Sequence, residues 1–144
     1  MSKNRVRDWM TPNPVTVGPK TTLPEAHKIM KDRKFRRLPV VQQGRLVGIV
    51  TLGDVREAGP SSATTLSIFE LNYLLAQLTV DRIMTRNVVT VSPEAAIREA
   101  ANLMLQHEVG ALPVVEGDQL VGIITESDIF RLIVQAPDAI TADS

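Results

Sequence analysis

One strand-to-helix sequence occurs twice in this chain: Gly48-Ile49-Val50-Thr51-Leu52-Gly53-Asp54 returns 74 residues later as Gly122-Ile123-Ile124-Thr125-Glu126-Ser127-Asp128. With the same offset, further motifs superpose without a gap: Met10-Thr11 on Met84-Thr85, Val15-Thr16-Val17 on Val89-Thr90-Val91, and Leu38-Pro39-Val40-Val41 on Leu112-Pro113-Val114-Val115. Between positions 9–55 and 83–129, 20 of 47 residues are identical. A register kept over that length identifies an internal repeat, so we expect two similar halves.

The residue pattern of each half predicts the order strand, helix, strand, strand, helix. The predicted strands of the first half are short β-branched or apolar runs at residues 15–17, 38–41 and 46–50. Thr22 and Glu25 have the spacing of a capping box at the start of the first helix. The fold class is therefore mixed α/β, with two tandem β-α-β-β-α repeats. Because a half of about 50 residues buries too little surface to be stable alone, we expect the repeats to pack about a pseudo-twofold axis.

The repeat divides the chain into four parts. They are a first repeat domain at 6–59, a linker with a helix at 60–79, a second repeat domain at 80–135 and a C-terminal tail at 136–144. Gly59-Pro60-Ser61-Ser62 breaks the chain before the linker helix, and Ser67 and Glu70 have the spacing to cap it. The helix is apolar at Ile68, Leu71, Leu74, Leu75 and Leu78. We interpret it either as a helix that packs on the module's own surface or as a contact with a partner or with a second copy in a dimer.

Composition excludes several classes of protein. The 144 residues include 44% hydrophobic ones, and 16 basic residues balance 16 acidic ones. Zero net charge argues against an extended nucleic-acid or membrane surface. The chain has no cysteine and only two histidines, which excludes disulfides and thiolate metal sites. Without a charged-then-apolar leader or an apolar run long enough to span a membrane, a cytoplasmic location is expected.

The two strand-to-helix junctions are candidate ligand sites. Free backbone N–H groups at such a junction attract phosphate, and a threonine hydroxyl can donate to the same oxygens. An aspartate three residues later accepts hydrogen bonds and suits the paired hydroxyls of a ribose. Thr51 with Asp54, and Thr125 with Asp128, therefore fit a nucleotide. The alternative is that each pair only caps its helix.

The ordered motifs resemble the CBS (cystathionine-β-synthase) domain family. Met-Thr, Thr-Val-x-Pro, Leu-Pro-Val-Val and Gly-Ile-x-Thr-x-x-Asp occur in that order, twice, over residues 6–134. The resemblance implies a tandem pair, or Bateman module, with two clefts that bind AMP, ADP, ATP or S-adenosylmethionine. Each cleft would take its threonine and aspartate from one repeat and its adenine contacts from the other.

The resemblance also assigns residues to each cleft. One cleft would contain Thr51, Asp54, Val88, Val89, Ala111 and Pro113. The other would contain Thr125, Ser127, Asp128, Pro14, Val15, Arg37 and Pro39, with Arg36 at its mouth. Because a guanidinium makes paired hydrogen bonds to phosphate, we expect the Asp128 cleft to bind phosphorylated ligands more tightly.

No catalytic centre is expected. The sequence has no phosphate-loop, dinucleotide-binding or serine-elbow motif, and His27 and His107 lie at unrelated repeat positions without metal-ligand spacing. The predicted function is a sensor that binds an adenine nucleotide, forms a homodimer and signals to an effector protein. The alternatives are a protein-interaction module with empty clefts, an S-adenosylmethionine sensor, and a nucleotide hydrolase.

Overall fold

The computed structural model describes residues 3–59 and 67–141. In chain order the helices are α1 (Val6–Trp9), α2 (Leu23–Arg33), α3 (Leu52–Ala58), α4 (Ile68–Gln77), α5 (Ile97–His107), α6 (Glu126–Gln135) and α7 (Asp138–Thr141). The strands are β1 (Thr11–Pro12), β2 (Arg37–Gln42), β3 (Arg45–Thr51), β4 (Ala111–Glu116) and β5 (Gln119–Thr125). The chain forms two compact units: a central unit, Val15–Val88, and a flanking unit, Met1–Pro14 with Val89–Ser144.

The central unit is built on the hairpin of β2 and β3. These strands pair antiparallel, with Arg37 opposite Thr51. Gln43 and Gly44 in the turn have positive φ angles of 54° and 80°, which are the backbone conformations that a tight hairpin requires. Helices α2 and α3 pack with the hairpin around a core whose buried residues are Val17, Leu23, Ala26, Met30, Leu38, Val40, Val50, Val55, Val80 and Met84. The predicted hairpin is confirmed.

The flanking unit repeats this plan around β4 and β5. The two strands pair antiparallel, with Ala111 opposite Thr125, and β1 pairs antiparallel with the other edge of β5. Helices α5 and α6 pack on them around a core whose buried residues are Val6, Val91, Ile97, Ala100, Met104, Leu112, Val114, Ile124, Leu132 and Ala139. The mixed α/β fold class is thereby confirmed for both units.

The compact units exchange the segments that open the repeats. Val6 is fully buried in the core of the flanking unit, with the second repeat, whereas Val80, its counterpart at the 74-residue offset, is fully buried in the central unit, with the first repeat. The backbone pairs in the same crossed manner: Thr11 lies opposite Ile123, and Thr85 bridges Ile49. Each repeat therefore completes its sheet with a segment that the sequence assigns to the other repeat.

One ion pair in each unit joins the exchanged segment to the repeat on which it packs, and the two pairs have opposite charges at equivalent positions. Arg7 contacts Glu94 in the flanking unit, and Lys20 lies 3.0 Å from Asp81 in the central unit. Lys20 and Glu94 are equivalent repeat positions, as are Arg7 and Asp81. If each opening segment packed on its own repeat, like charges would face each other. Although exposed pairs contribute little stability, these charges favour the exchanged arrangement.

Other local predictions have mixed outcomes. Thr22 accepts a hydrogen bond from the Glu25 N–H at 3.3 Å, and Ser67 accepts one from the Glu70 N–H at 3.2 Å, so both N-caps are confirmed. The predicted capping box at Thr22 is only half present, because within the described residues Glu25 does not accept from the Thr22 N–H. Residues 15–17 form no extended strand, and only Val17 makes a parallel bridge, to Val40. The predicted chain break at 60–62 and the end of the tail at 142–144 lie outside the described residues. No helix within the described ranges is long and apolar enough to cross a membrane.

Candidate functional site

Both strand-to-helix junctions are closed by capping boxes. Strand β3 ends at Thr51, where α3 begins; the Thr51 hydroxyl accepts from the Asp54 N–H at 3.0 Å, and Asp54 Oδ2 accepts from the Thr51 N–H at 2.9 Å. At the end of β5, Thr125 accepts from the Asp128 N–H at 3.4 Å, and Asp128 Oδ2 accepts from the Thr125 N–H at 2.9 Å. Both pairs therefore cap their helices, but the structure does not decide whether capping is their only role. A ligand role remains a prediction.

The two aspartates differ in the hydrogen bonds that they make. Asp128 is 4% exposed, and its second oxygen, Oδ1, accepts from the Arg131 guanidinium one helical turn away. Asp54 is half-buried, and Glu57 stands at the position equivalent to Arg131. Within the described ranges, Asp54 Oδ1 accepts no hydrogen bond. Asp54 therefore has an oxygen that could accept from a ligand hydroxyl, whereas a ligand hydroxyl at Asp128 Oδ1 would share that oxygen with Arg131 in a more buried position.

A basic pocket of 300 Å³ lies beside Thr51 in the central unit. It is lined by Arg36, Arg37, Thr51, Leu52, Gly53 and Arg56. The hairpin register places Arg37 opposite Thr51, and the Leu52 N–H donates to the Arg36 carbonyl at 2.7 Å. The family resemblance assigned Arg36 and Arg37 to the Asp128 cleft, and that assignment stays a prediction. Within the central unit both arginines line a pocket beside Thr51.

Sequence reasoning missed Arg56 as a member of this group. Arg56 follows Asp54 by two residues on α3 and is exposed at the pocket. The hairpin turn at residues 43–44 was the signal that could have revealed the group. Counting back from the turn along β2 and forward along β3 brings residue 37 opposite residue 50, and the register shift between Val40 and Val41 moves its partner to residue 51, at the start of α3.

The remaining predicted site residues divide between the two units. Val15, Pro39 and Val88 belong to the central unit, and Pro14, Val89, Ala111, Pro113 and Ser127 belong to the flanking unit. Pro39 lies in β2 opposite Ile49, and Pro113 lies in β4 opposite Ile123. Since each predicted cleft draws on both units, its assembly remains a prediction.

The described residues contain no group of three or more metal-ligating side chains. His27 and His107 are both exposed on helices, α2 and α5 respectively. The side chains at the two junctions carry hydroxyl, carboxylate and guanidinium groups, which bind ligands through hydrogen bonds and charge. Their chemistry suits recognition of a hydroxylated, anionic ligand.

Comparisons with known proteins agree with this organisation. A family model described as the CBS domain matches residues 6–61 and 80–135. The CBS domain-containing protein YhcV of Bacillus subtilis is 33% identical over 124 residues, which make up 86% of this chain and 81% of that protein. An inosine-5'-monophosphate dehydrogenase of Korarchaeum cryptofilum is also 33% identical, but the chain spans only 24% of its length.

Two solved structures with bound ligands are similar over most of the chain. The structure of CBSX2 in complex with AMP has a TM-score of 0.77 and 29% identity, covering 93% of this chain and 98% of that one. The CBS domain pair of MJ0100, in complex with 5-methylthioadenosine and S-adenosyl-L-methionine, has a TM-score of 0.73 and 31% identity. That match covers 90% of this chain and 95% of the other.

Proposed function

Since the chain belongs to the CBS-domain family and carries two copies of the domain, we propose that it is a regulatory module that binds an adenine nucleotide. The ligand would be AMP, ADP or ATP, held in clefts to which both domains contribute. Binding would alter the shape or assembly of the module and thereby signal to a partner. The role is regulatory rather than catalytic.

The observation that carries the proposal is the Thr-x-x-Asp junction at the end of the hairpin in both repeats. At the first junction, Asp54 Oδ1 is open among the described residues and suits a ribose hydroxyl. The relatives with bound AMP, 5-methylthioadenosine or S-adenosylmethionine support an adenosyl ligand, because all three contain adenine attached to a ribose ring with two free hydroxyls.

The basic pocket supports a phosphorylated ligand over S-adenosylmethionine. Three arginines, Arg36, Arg37 and Arg56, line it. S-Adenosylmethionine has one carboxylate, but its sulfonium and ammonium give it a net positive charge, and 5-methylthioadenosine is neutral, so both complement three guanidiniums less well than a phosphate does. A phosphate group fits them, because guanidiniums donate paired hydrogen bonds to its oxygens.

Which junction binds the phosphorylated ligand more tightly is also testable. The family resemblance favours the Asp128 cleft, because it assigns Arg36 and Arg37 to that cleft. Within the central unit these arginines lie beside Thr51, and Asp128 is already paired with Arg131. AMP titrations of Asp54→Ala and Asp128→Ala measure the two contributions separately. If both substitutions reduced AMP affinity equally, neither junction would bind the phosphorylated ligand more tightly than the other.

Calorimetric titration tests the phosphate contact. We expect Arg36→Gln with Arg37→Gln to weaken AMP binding by roughly ten- to a hundredfold, since a charged hydrogen-bond partner contributes about 1.5–3 kcal/mol. Binding of 5-methylthioadenosine should change little, because it has no phosphate. Arg33→Gln, an exposed arginine outside the pocket, is the matched control.

A thermal-shift panel tests the ligand class itself. AMP, ADP, ATP, S-adenosylmethionine and NAD are compared on the wild-type protein and on the Asp54→Ala, Asp128→Ala double variant. A ligand at about 100 times its dissociation constant stabilises by about 2.7 kcal/mol. A shift that the double variant loses would identify the ligand. Absence of any shift would contradict the sensor proposal.

Signalling requires that the ligand bind two states of an assembly with different affinity. We propose that this assembly is a homodimer together with an unidentified effector protein, because an isologous pair is the commonest assembly of small proteins. A cytoplasmic location stays a prediction.

An interaction module without nucleotide is the second candidate, and α4 favours it. Phe69 and Tyr73, one turn apart on this helix, are 82% and 67% exposed, and Leu74 is 49% exposed. Large apolar side chains exposed together often mark a protein contact. A module that binds a protein through α4 but shifts with no nucleotide would support this candidate.

A further inference from the structure

The charges of the chain are divided unevenly between the two compact units. The central unit, residues 15–88, has 11 lysines and arginines and 6 aspartates and glutamates, whereas the flanking unit has 5 and 10. Their formal charges are therefore +5 and −5, although the chain as a whole is neutral. An anionic partner, which the net charge of the whole chain disfavours, is therefore electrostatically favoured at the central unit.

A cavity of 520 Å³ lies between α2 and α3 of this unit. Leu23 and Val55, both buried in the core, form its apolar floor, and the side chains of Lys28, Lys31 and Arg56 are exposed around it. Long basic side chains can lay their aliphatic stems on apolar surface while their charges stay in water. The cavity can therefore accept an apolar side chain without burying a charge.

The cations at this cavity are available to a partner. Within the described ranges, Lys28, Lys31 and Arg56 take part in no ion pair. Asp32 is the one acidic residue among the described ones that line the cavity, so three cations face one carboxylate. Because opposite charges across an interface favour the correct partner, this rim suits an acidic one.

The other repeat does not have these cations at the equivalent place. At the 74-residue offset, Lys31 corresponds to Leu105 and Arg56 to Phe130. Both repeats nevertheless form a helix before their hairpin and a helix after it. The fold therefore does not require basic residues at these positions, and the first repeat can use them for binding.

We propose that the α2–α3 cavity docks the effector protein, through an acidic segment that carries a large apolar side chain. That side chain covers Leu23 and Val55, and the carboxylates beside it pair with Lys28, Lys31 and Arg56. An apolar anchor in a pocket contributes most of the energy of a protein contact, and the charges around it select the partner. A nucleic acid would satisfy the cations, but it has no aliphatic side chain for the floor.

This inference rests on the proposed function for the existence of an effector, but docking can be measured without nucleotide. Lys28 and Lys31 line the cavity and not the basic pocket, whereas Arg56 lines both. Test variants at Lys28, Lys31 and Gly59 therefore leave the three arginines of the basic pocket in place. A variant that loses docking but still binds AMP leaves the sensor proposal intact. A wild-type protein that docks the acidic segment but binds no nucleotide leaves this inference intact.

A fluorescein-labelled synthetic peptide tests the chemistry of the partner. Its sequence repeats Glu-Glu-Leu-Leu three times, and two control peptides replace every Glu by Lys or every Leu by Ser. In fluorescence anisotropy we expect the acidic, apolar peptide to bind roughly tenfold more tightly than either control, because only it offers both carboxylates and apolar side chains. Equal binding of the serine peptide would mean that charge alone acts and would overturn the proposal, as would no binding of the acidic peptide.

Filling the cavity tests the place of docking. Gly59→Leu adds a side chain there without changing a charge, and its added Cβ meets the Arg56 carbonyl oxygen at 3.4 Å, an ordinary contact. We expect this variant to weaken peptide binding by roughly tenfold, and Lys28→Gln with Lys31→Gln to do the same. Gly18→Leu is the matched control: its added Cβ meets nothing closer than 3.8 Å, it lies outside the cavity, and it should bind as the wild type does.

Three outcomes would refute docking of an effector at this cavity. Equal affinity of the wild type and Gly59→Leu would place the peptide elsewhere. In sedimentation equilibrium, a wild-type dimer that Gly59→Leu dissociates would mean that a second copy occupies the cavity. Tighter binding of a labelled oligothymidylate than of the acidic peptide, lost in the Lys28→Gln, Lys31→Gln variant, would identify a nucleic acid as the occupant.

Discussion

Two glycines mark the positions where the exchanged segments approach each hairpin. A Cβ added to Gly48 would lie 2.6 Å from Met84 Sδ and 2.9 Å from the Thr85 carbonyl oxygen. At Gly122 the corresponding distances are 2.6 Å to Met10 Sδ and 2.9 Å to the Thr11 carbonyl oxygen. Distances under 3.0 Å are essentially absent for real Cβ atoms, so Gly48→Ala must displace the segment that completes the sheet.

The size of the effect follows from this crowding. Overpacking a well-packed site costs typically about 1–3 kcal/mol. Replacing glycine also reduces the freedom of the unfolded chain, which returns about 0.4–1 kcal/mol. The free energy of unfolding should fall by roughly 1–2 kcal/mol, which for a protein of this size lowers Tm by about 2–8 °C. Urea titration and calorimetry measure both quantities.

Gly53→Ala is the matched control for this substitution. Its added Cβ would meet only Thr51 Oγ1, at 3.6 Å, and the residue lies within α3. Alanine is favoured over glycine in a helix, so this variant should be up to about 1 kcal/mol more stable. Combining Gly48→Ala with Met84→Ala should be less than additive, because the sulfur that the new methyl strikes is gone. A Gly48→Ala protein as stable as wild type would refute the reasoning.

Three further predictions concern charged residues. The pKa of Asp81 lies below its usual 3.8, mainly because the Thr79 hydroxyl donates a hydrogen bond to this carboxylate and secondly because the Lys20 ammonium does. The ionised carboxylate therefore stabilises the fold above pH 3.8, and this stabilisation is lost as the pH falls through the lowered pKa. Asp81→Asn should flatten the acid limb of a urea-midpoint profile, and an unchanged acid limb would contradict this. Asp81→Arg should lower the free energy of unfolding more at low salt than at high salt, because it places two cations together. Adding Lys20→Glu should restore the lost stability. If the two substitutions instead gave additive losses, the charge pairing would be contradicted. In urea titrations of the unliganded protein, Asp128→Ala should lower the free energy of unfolding by about 1–3 kcal/mol. This loss should exceed that of Asp54→Ala, because Asp128 is buried and both of its oxygens accept hydrogen bonds. A larger loss from Asp54→Ala would contradict this prediction.

Local patterns were sufficient for the repeat and its helix and strand order. Caps such as Thr22 with Glu25 and Thr51 with Asp54 were readable because they join residues three apart in the sequence. The hairpins were readable because two apolar runs flank a short polar turn. The short helix α1 was not anticipated: it has only four residues, too few for a periodic pattern.

Long-range pairing explains what the sequence left open. The 74-residue repeat suggested domains cut at its own boundaries, yet the opening segments complete the sheets of the opposite repeats. Nearly identical segments, such as Met10-Thr11 and Met84-Thr85, fit either hairpin by pattern alone. Contacts between residues far apart in the chain favour one hairpin over the other, and the ion pairs of Lys20 with Asp81 and Arg7 with Glu94 are two of them.

The candidate site divides in the same way. Sequence alone identified Thr51, Asp54, Thr125 and Asp128, because the motif and its helix cap are local. It did not predict that Arg56 joins Arg36 and Arg37 beside Thr51, since that grouping depends on hairpin register and on the direction of α3. Residue types and short spacings therefore determined which chemistry is present, and tertiary packing decided which charges share a pocket, because only a folded backbone sets distances between residues far apart in sequence.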